Sequence, residues 1–145
     1  MFNNVSDKNF SKIELEDCRW SYDEVDLYNK FFSNCRVIIP GGNGILGSAI
    51  IRTLGYANEK YNLNLLIESI SRSGNTEKVS PIDSKPYFLN TKSDLIDYEF
   101  EKDGRPIIVI HCASQASPVF YKTDPVGTIM PNMIGTYNLL KTCYK

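Results

Sequence analysis

A glycine-rich loop between a predicted strand and a predicted helix is the feature of this 145-residue chain that most restricts its fold. The β-branched run at 36–39 (RVII) is typical of a buried strand, and the loop follows it at 41–47 (GGNGILG). Apolar residues at three- and four-residue spacing over 46–57 predict a helix that begins within the loop. The loop places its glycines three residues apart, at Gly41, Gly44 and Gly47. Such glycines let the backbone turn tightly and approach a pyrophosphate at the helix N-terminus, so we expect a dinucleotide site here.

The rest of the chain alternates predicted strands with predicted helices. Apolar runs predict strands at 63–70, 87–89 and 107–111, and a polar loop occupies 73–86. Pro125 is predicted to open a helix after the fourth strand. One face of that helix is apolar and carries Val126, Ile129, Met130, Met133, Tyr137 and Leu140. This order predicts an α/β fold, a Rossmann-type doubly wound parallel sheet that ends after its fourth strand and the helix that follows.

The chain is predicted to divide into a helical N-terminal extension at 1–34 and a partial dinucleotide-binding domain at 35–145. Two segments of the extension, 11–14 (SKIE) and 21–24 (SYDE), fit the capping box that starts a helix. The second is expected to open a helix whose apolar stripe consists of Val25, Tyr28, Phe31 and Phe32.

Composition excludes several classes of function. Sixteen Lys plus Arg stand against seventeen Asp plus Glu, so no basic field exists to bind nucleic acid or anionic lipid. No apolar run approaches the roughly 20 residues of a membrane span, and the N-terminus does not resemble a secretory signal. The four cysteines form no CxxC pair and there is one histidine, so we expect no metal site. We therefore expect a cytoplasmic protein with no membrane and no nucleic-acid partner.

The end of the second predicted strand bears on the choice between the two nicotinamide dinucleotides. An acid at this place would bind the 2′-hydroxyl of the ribose, whereas an arginine accommodates a 2′-phosphate. The sequence here reads Ser71-Arg72, and no acid stands at the tip. The cofactor prediction is NAD(P), leaning towards NADP; the alternative is that Arg72 is a solvated surface residue.

Four motifs in order resemble the extended short-chain dehydrogenase/reductase family. PGGNGILG at 40–47 resembles the family's TGxxGxxG loop, and DLID at 94–97 its acidic segment after the third strand. HCASQASP at 111–118 resembles H-x-A-[AS]-x-x-S-P, and NMIGTYNLL at 132–140 matches N-x-x-G-T-x-N-x-L. The resemblance is greatest to the UDP-glucuronate decarboxylase and dTDP-glucose 4,6-dehydratase branch, which includes bacterial enzymes of surface-polysaccharide sugar synthesis.

The glycine loop, the end of the second strand and this resemblance together imply a set of site residues. The implied cofactor-binding residues are Gly41, Asn43, Gly44, Ile45, Leu46, Gly47, Ser71, Arg72, Asp94, Leu95, Ala113 and Ser114. The resemblance places Asp94 and Leu95 beside the adenine, and Ala113 and Ser114 against the nicotinamide ribose and the phosphates. The implied residues on the side of the nucleotide-sugar substrate are Ser117, Tyr121 and Asn132.

The chain also departs from the family pattern. Pro40 replaces the usual Thr, which removes a hydroxyl and a backbone donor from the loop. The family's catalytic Ser or Thr and its Tyr-x-x-x-Lys pair come later than Lys145, so we assign no catalytic residue and expect no turnover by this chain alone. Tyr137 and Lys141 do spell Tyr-x-x-x-Lys, but one helix too early.

Two chemically capable residues stand at the end of the fourth predicted strand. His111 is interpreted as a hydrogen-bonded strand-end residue, with general acid/base work as the alternative. Cys112 would need a base to act as a nucleophile, and the adjacent His111 points to the other face of the strand.

Three hypotheses of function follow. The leading one is the NAD(P)-binding portion of a nucleotide-sugar epimerase, dehydratase or decarboxylase. The second is a non-catalytic dinucleotide-binding or interaction module. The third is a fragment that binds no ligand at all. The fourth predicted strand would form an apolar sheet edge, so we also expect a homodimer or self-association through that edge.

Overall fold

Four parallel strands form the centre of the protein. The computed structural model describes residues 10–23, 31–115 and 117–144. The strands are β1 (Arg36–Pro40), β2 (Leu66–Ser71), β3 (Phe88–Lys92) and β4 (Ile107–Val109), and they lie in the order β3-β2-β1-β4. The predicted Rossmann-type parallel α/β fold is therefore confirmed.

The central strand β1 is covered on both faces of the sheet and pairs on both sides. Every residue of β1 is buried, and Val37 pairs with Ile67 of β2 and with Ile108 of β4. β4 is shorter than predicted, yet the ladder continues beyond it, since the Ile110 and Cys112 amides donate to carbonyls of β1 at 2.9 and 2.8 Å. This register brings the carboxyl ends of the strands to one edge of the sheet.

Helices and loops cover the two faces of the sheet. The helices are α1 (Lys12–Asp23), α2 (Ile45–Tyr61), α3 (Pro118–Thr123), α4 (Pro125–Met130) and α5 (Thr136–Tyr144), and a short 3-10 turn spans Glu77–Val79. One core cluster joins α1 and α2 to the sheet, with Ile51, Ile67 and Ile82 fully buried. The cluster on the opposite face consists of Ile38, Ile70, Leu95, Tyr98 and Leu139.

The capping box predicted at the start of α1 is confirmed. The Ser11 amide donates to Glu14 Oε2 at 2.9 Å, and the Glu14 amide donates to Ser11 Oγ at 3.3 Å. The first of these bonds lowers the pKa of Glu14. α1 packs on α2 through Cys18 and through Tyr22, whose ring stacks on Tyr61 at 5.4 Å.

The second capping box is wrong as a helix start. Ser21 lies inside α1, which continues to Asp23 because Tyr22 still packs on α2. Val25 and Tyr28 of the predicted stripe lie outside the described residues, whereas Phe31 is exposed and Phe32 packs against the core.

The predicted helix after β4 is broken into several pieces. Pro125 does open a helix, and the Asp124 carboxylate accepts from the Gly127 amide at 2.9 Å. A π-helical turn at Pro131–Gly135 separates α4 from α5. Proline has no N–H to continue an α-helical ladder, which accounts for the change of period at this point.

The apolar face predicted for this helix points mostly outward. Val126, Ile129, Met133, Tyr137 and Leu140 are exposed. The buried residues are instead Gly135 at the end of the π-helical turn, and Leu139 and Thr142 of α5. Because Gly135 has no side chain, this side of the helix can approach Leu95 closely. Among the described helices, none is long and apolar enough to cross a membrane.

Candidate functional site

A cleft of roughly 350 Å³ opens at the carboxyl ends of the strands. The chain runs from β1 outward to β2 and β3 on one side and returns to β4 on the other. Parallel sheets bind ligands at such a change of direction. The cleft is lined by Pro40, Gly41, Gly44, Ile70, Ser71, Arg72, Ser93, Asp94, Leu95, Ile96, Cys112, Ala113, Ser114, Gln115, Gly127, Met130 and Pro131.

The glycine loop forms the floor of the cleft by close backbone contact. Gly41 has a φ of +82°, and a Cβ on it would lie 2.6 Å from the Ala113 nitrogen and from the Cys112 carbonyl. A Cβ on Gly47 would lie 2.3 Å from the Gly41 carbonyl oxygen. The loop therefore reaches the end of β4 and the start of α2 only because these positions lack side chains.

The N-terminus of α2 points its free backbone donors towards this loop. Gly44 caps the 17-residue helix, and the first turn carries no acidic residue. Ile45 and Leu46 are exposed, so no side chain competes for the donors of the first turn. Such a helix end favours an anionic group in the cleft.

The end of β2 carries one cation at the rim of the cleft. Arg72 is exposed, lines the cleft and has no hydrogen-bond or ion-pair partner within the described part of the chain. The side-chain Nδ2 of Asn43 donates to Ser73 Oγ at 2.8 Å, and this bond connects the glycine loop to the end of β2. Ser71 Oγ accepts from the Gly74 amide at 3.1 Å and fixes the turn after Arg72.

Residues 93–96, which we call the wall segment, form one side of the cleft. The Ile96 amide donates to Asp94 Oδ1 at 3.2 Å, and the Ile96 carbonyl accepts from the Asn138 side chain. Leu95 is buried in the core beneath. A Cβ on Gly135 would lie 2.7 Å from Leu95 Cδ2, so the end of the π-helical turn packs directly on this segment.

Residues 112–115, which follow β4 in the chain, form the opposite side of the cleft. Ser114 Oγ accepts from the Asn132 side-chain nitrogen at 3.1 Å. Gln115 lines the cleft, and its Oε1 is buried without a hydrogen-bond partner among the described residues. Burial raises the pKa of the Cys112 thiol, which disfavours the thiolate that a nucleophile needs. His111 Nε2 lies 3.2 Å from the Pro131 carbonyl oxygen, in agreement with its interpretation as a strand-end residue.

Eight of the site residues expected from the sequence line the cleft, and seven lie outside its lining. The eight are Gly41, Gly44, Ser71, Arg72, Asp94, Leu95, Ala113 and Ser114. Asn43, Ile45, Leu46 and Gly47 lie in the loop and the first turn of α2. Ser117 and Tyr121 belong to the cap and body of α3, and Asn132 contacts Ser114 from the π-helical turn. Tyr137 is exposed and lies outside the lining.

Sequence analysis missed several residues that line the cleft. The role of Gln115 could not be predicted from the sequence, because a single glutamine in a loop does not indicate a binding site. Met130 and Pro131 were hidden in what the spacing predicted to be one continuous helix. Pro131 was itself the available signal, because a proline inside a helical pattern marks an end or a kink.

The residues of the cleft fit a dinucleotide. The floor is backbone that any side chain would displace, and the first turn of α2 offers donors to a phosphate. Gln115 Oε1 is buried and has no donor among the described residues, so it is an acceptor available to a ligand in the cleft. The fold and the cleft thus define a Rossmann-type protein whose sheet edge is suited to a dinucleotide.

Comparison with known proteins gives the family. The model of the NAD dependent epimerase/dehydratase family matches residues 37–145, so the chain belongs to that family. The resemblance to the N-terminal region of extended short-chain dehydrogenases/reductases is therefore confirmed, and membership supports binding of NAD(P).

The relatives are named for two reactions. UDP-glucuronic acid decarboxylase 6 of Arabidopsis thaliana is 34% identical over 113 residues, which are 77% of this chain and 31% of the relative. UDP-glucuronic acid decarboxylase 3 of the same plant is 34% identical, with 74% and 30% covered. The dTDP-glucose 4,6-dehydratase of Salmonella typhimurium is 29% identical, with 76% and 31% covered. The chain thus spans about 30% of the length of these relatives.

Proposed function

We propose that this chain is the NAD(P)-binding portion of an enzyme that epimerises, dehydrates or decarboxylates a nucleotide sugar. The observation that carries the proposal is the glycine loop at the switch point of the sheet, where Gly41 contacts the end of β4 and Gly44 caps α2. Decarboxylases and a dehydratase among the relatives support the reaction class. A role in surface-polysaccharide sugar synthesis and a cytoplasmic location remain predictions from the sequence.

The chain's own residues would bind and orient the cofactor. The first turn of α2 would hold the pyrophosphate, the wall segment would contact the adenine, and Ala113 with Ser114 would contact the nicotinamide ribose. When bound, NAD(P) supplies the hydride acceptor that converts a sugar hydroxyl to a ketone, which acidifies the neighbouring C–H bonds. Asn132 holds the Ser114 hydroxyl at 3.1 Å and so orients this side of the cleft.

We also propose that the described cleft does not turn over a nucleotide sugar by itself. No tyrosine, lysine or histidine stands among the residues that line it. The lining groups that can carry a proton are Asp94, which accepts from the Ile96 amide, and Cys112, whose thiol pKa is raised by burial. Neither is the tyrosine and lysine pair that the family pattern uses to move the proton that accompanies hydride transfer. The chain with NAD or NADP should leave UDP-glucuronate and dTDP-glucose unchanged, as measured by chromatography of the sugar nucleotides. Conversion of either sugar would contradict this point.

The same cleft admits the non-catalytic alternative. A dinucleotide-binding or interaction module would bind NAD(P) through the same backbone and would need no proton donor. The described lining contains no tyrosine, lysine or histidine. This is as compatible with a non-catalytic module as with the cofactor-binding portion of an enzyme. Turnover in the presence of the remaining part of a relative, such as the region of a UDP-glucuronic acid decarboxylase beyond the matched residues, would separate the two.

Arg72 is expected to make the chain prefer NADP to NAD. Its guanidinium lies at the cleft rim, where it can form charge-assisted hydrogen bonds with a 2′-phosphate. Arg72→Ala should weaken NADP binding by about tenfold to a hundredfold and leave NAD binding unchanged, since such bonds contribute about 1.5–3 kcal/mol. A thermal-shift titration suits this test, because a ligand at about 100 times its Kd stabilises the fold by about 2.7 kcal/mol.

The matched control is Arg19→Ala, which removes an exposed arginine of α1. It should change neither affinity. Equal binding of NADP by the wild type and by Arg72→Ala would remove the role assigned to Arg72. No shift with either dinucleotide would overturn the proposed function.

We further propose that the chain self-associates through the β4 edge and the exposed apolar residues beside it. Among the described strands, β4 pairs with β1 alone, and its three residues are half-buried. The helices after β4 expose Val126, Ile129, Met133, Tyr137 and Leu140. A group of exposed apolar side chains in one part of a chain is typical of an interaction surface. Size-exclusion chromatography with light scattering should give a dimer.

Leu140→Glu should shift that equilibrium towards monomer without unfolding the chain, because Leu140 is 64% exposed. Ile13→Glu is the control, since Ile13 is 71% exposed but lies on α1. A monomeric wild type, or equal behaviour of the two variants, would count against self-association at this surface.

A further inference from the structure

One buried carboxylate connects the sheet to the wall of the cleft. Glu68 lies in β2, and its side chain is 4% exposed. Its Oε2 accepts from the Arg36 guanidinium of β1, at 2.6 Å from Nη2 and 3.2 Å from Nε. Its Oε1 accepts from the Thr91 hydroxyl at 2.7 Å and from the Tyr98 hydroxyl at 2.8 Å. Both oxygens therefore have their partners fixed inside the protein.

The two hydroxyl donors stand on either side of the wall segment in the chain. Thr91 is in β3, just before the wall segment begins, and Tyr98 follows shortly after it ends. Burial, and then the bond to Glu68, raises the pKa of Tyr98, so its hydroxyl remains a donor. Glu68 Oε1 thus holds both flanks of the wall segment at one point.

The wall segment depends on these flanks because it belongs to no helix or strand. Within the segment and just beyond its end, the Asp94 carbonyl accepts from the Ser93 hydroxyl at 3.0 Å and from the Asp97 amide at 3.2 Å. Its contacts with the rest of the described protein include the bond from the Ser93 amide to the Ser71 carbonyl at 3.1 Å, the Asn138 side chain on Ile96, and the packing of Leu95. An irregular segment that must present ligand contacts loses affinity when it has to be ordered upon binding.

We propose that Glu68 is a positioning residue of the cleft, which holds the wall segment through Thr91 and Tyr98 and so sets the affinity for the adenine half of the dinucleotide. The inference rests on the proposed function and goes beyond it, since Glu68 itself is not part of the cleft lining. It assigns a role in ligand affinity to a residue that touches no ligand.

Tyr98→Phe tests the proposal because it removes only the hydroxyl. The ring keeps its stacking on Phe100, whose centroid is 5.9 Å away. Calorimetry of the full chain with AMP should show an approximately tenfold higher Kd, and nicotinamide mononucleotide should bind as it does to the wild type. Thr91→Val removes the bond on the other flank and should act in the same direction, so the test survives if one variant fails to fold.

Tyr87→Phe is the matched control. The Tyr87 hydroxyl also donates to a carboxylate, Glu59 Oε1 at 2.7 Å, but it packs against the core cluster of α1 and α2. Tyr87→Phe therefore loses a hydrogen bond from a tyrosine hydroxyl to a carboxylate, but this bond involves neither the wall segment nor Glu68. It should leave the affinity for AMP unchanged.

Hydrogen exchange of the wall segment gives a readout that needs no ligand. The amides of 93–96 should exchange faster in Tyr98→Phe and Thr91→Val than in the wild type or Tyr87→Phe. Unchanged exchange would overturn the proposal, as would equal loss of affinity for AMP and nicotinamide mononucleotide. If the wild type binds neither NAD nor NADP, the proposed function fails, and the exchange rates still decide whether Glu68 positions the segment.

Discussion

Methionine in place of Arg36 is expected to lower the free energy of unfolding by about 3–5 kcal/mol, because it leaves the Glu68 carboxylate buried without its cation. The Arg36 side chain is 10% exposed and that of Glu68 4% exposed. Burial lowers the pKa of Arg36, but Glu68 outweighs that effect and raises it overall. The guanidinium also donates to the Glu101 carbonyl at 2.6 Å and lies 5.3 Å from the Phe100 ring centroid. Methionine fills much of the same volume, so the loss should come from the charge and the hydrogen bonds.

Arg105→Met makes the same replacement at an exposed pair. Arg105 Nε lies 3.6 Å from Asp103, with the two side chains 35% and 34% exposed. Water screens such a pair, and its removal should cost no more than about 1 kcal/mol. Urea denaturation of both variants measures the difference. If both variants lower the free energy of unfolding by a similarly small amount, the charge of Glu68 is compensated without Arg36. Arg36 would then not be the residue that connects the hydrogen-bond network to β1.

Local signals in the sequence were enough to predict the strands and the turn at the glycine loop. The runs at 36–39 and 107–111 are apolar and β-branched, and a buried parallel strand needs little else. Gly41 and Gly47 occupy positions where the structure leaves no room for a Cβ, so their place in the sequence indicated the geometry directly. The capping box of α1 is equally local, since both of its bonds join residues three apart.

Contacts between distant residues could not be predicted in the same way. Glu68 lies within the strand predicted at 63–70, but its partner Arg36 is 32 positions away. That pairing depends on the register of β1 against β2, which places Ile38 opposite Glu68. No local pattern encodes this register, so the network beneath the wall segment appears only in the folded chain.

The helix after β4 shows a different limit. Apolar spacing over 126–140 predicted one apolar face, and the structure exposes most of it. The small residue Gly135 instead brings α5 close to Leu95, at a distance that a larger residue would prevent. Periodicity finds the apolar side of a helix, but close packing is decided by the side that permits approach. Pro131 then shifts the period between the two parts.

Alanine at Gly41 is expected to lower the free energy of unfolding by about 2–5 kcal/mol and to remove NAD(P) binding. About 1–2 kcal/mol comes from a positive φ of +82° and the rest from overpacking, which costs about 1–3 kcal/mol. The new Cβ would lie 2.6 Å from the backbone of Cys112 and Ala113. That backbone cannot retreat easily, because the Cys112 amide donates to the Pro40 carbonyl at 2.8 Å and extends the β1–β4 ladder.

Gly104→Ala separates the two contributions. Gly104 has a φ of +85°, nearly that of Gly41, but nothing lies within 4 Å of the position of its Cβ. It should show the backbone cost alone, about 1–2 kcal/mol, with unchanged NAD(P) affinity. Urea unfolding and calorimetry on both variants give the comparison. Equal costs would mean that the loop can move away from β4, and the cleft would then not depend on the close contact of Gly41 with the end of that strand. If Gly41→Ala lowers the free energy of unfolding more than Gly104→Ala and also abolishes NAD(P) binding, the close contact of Gly41 with the backbone of Cys112 and Ala113 is needed both for stability and for the ligand.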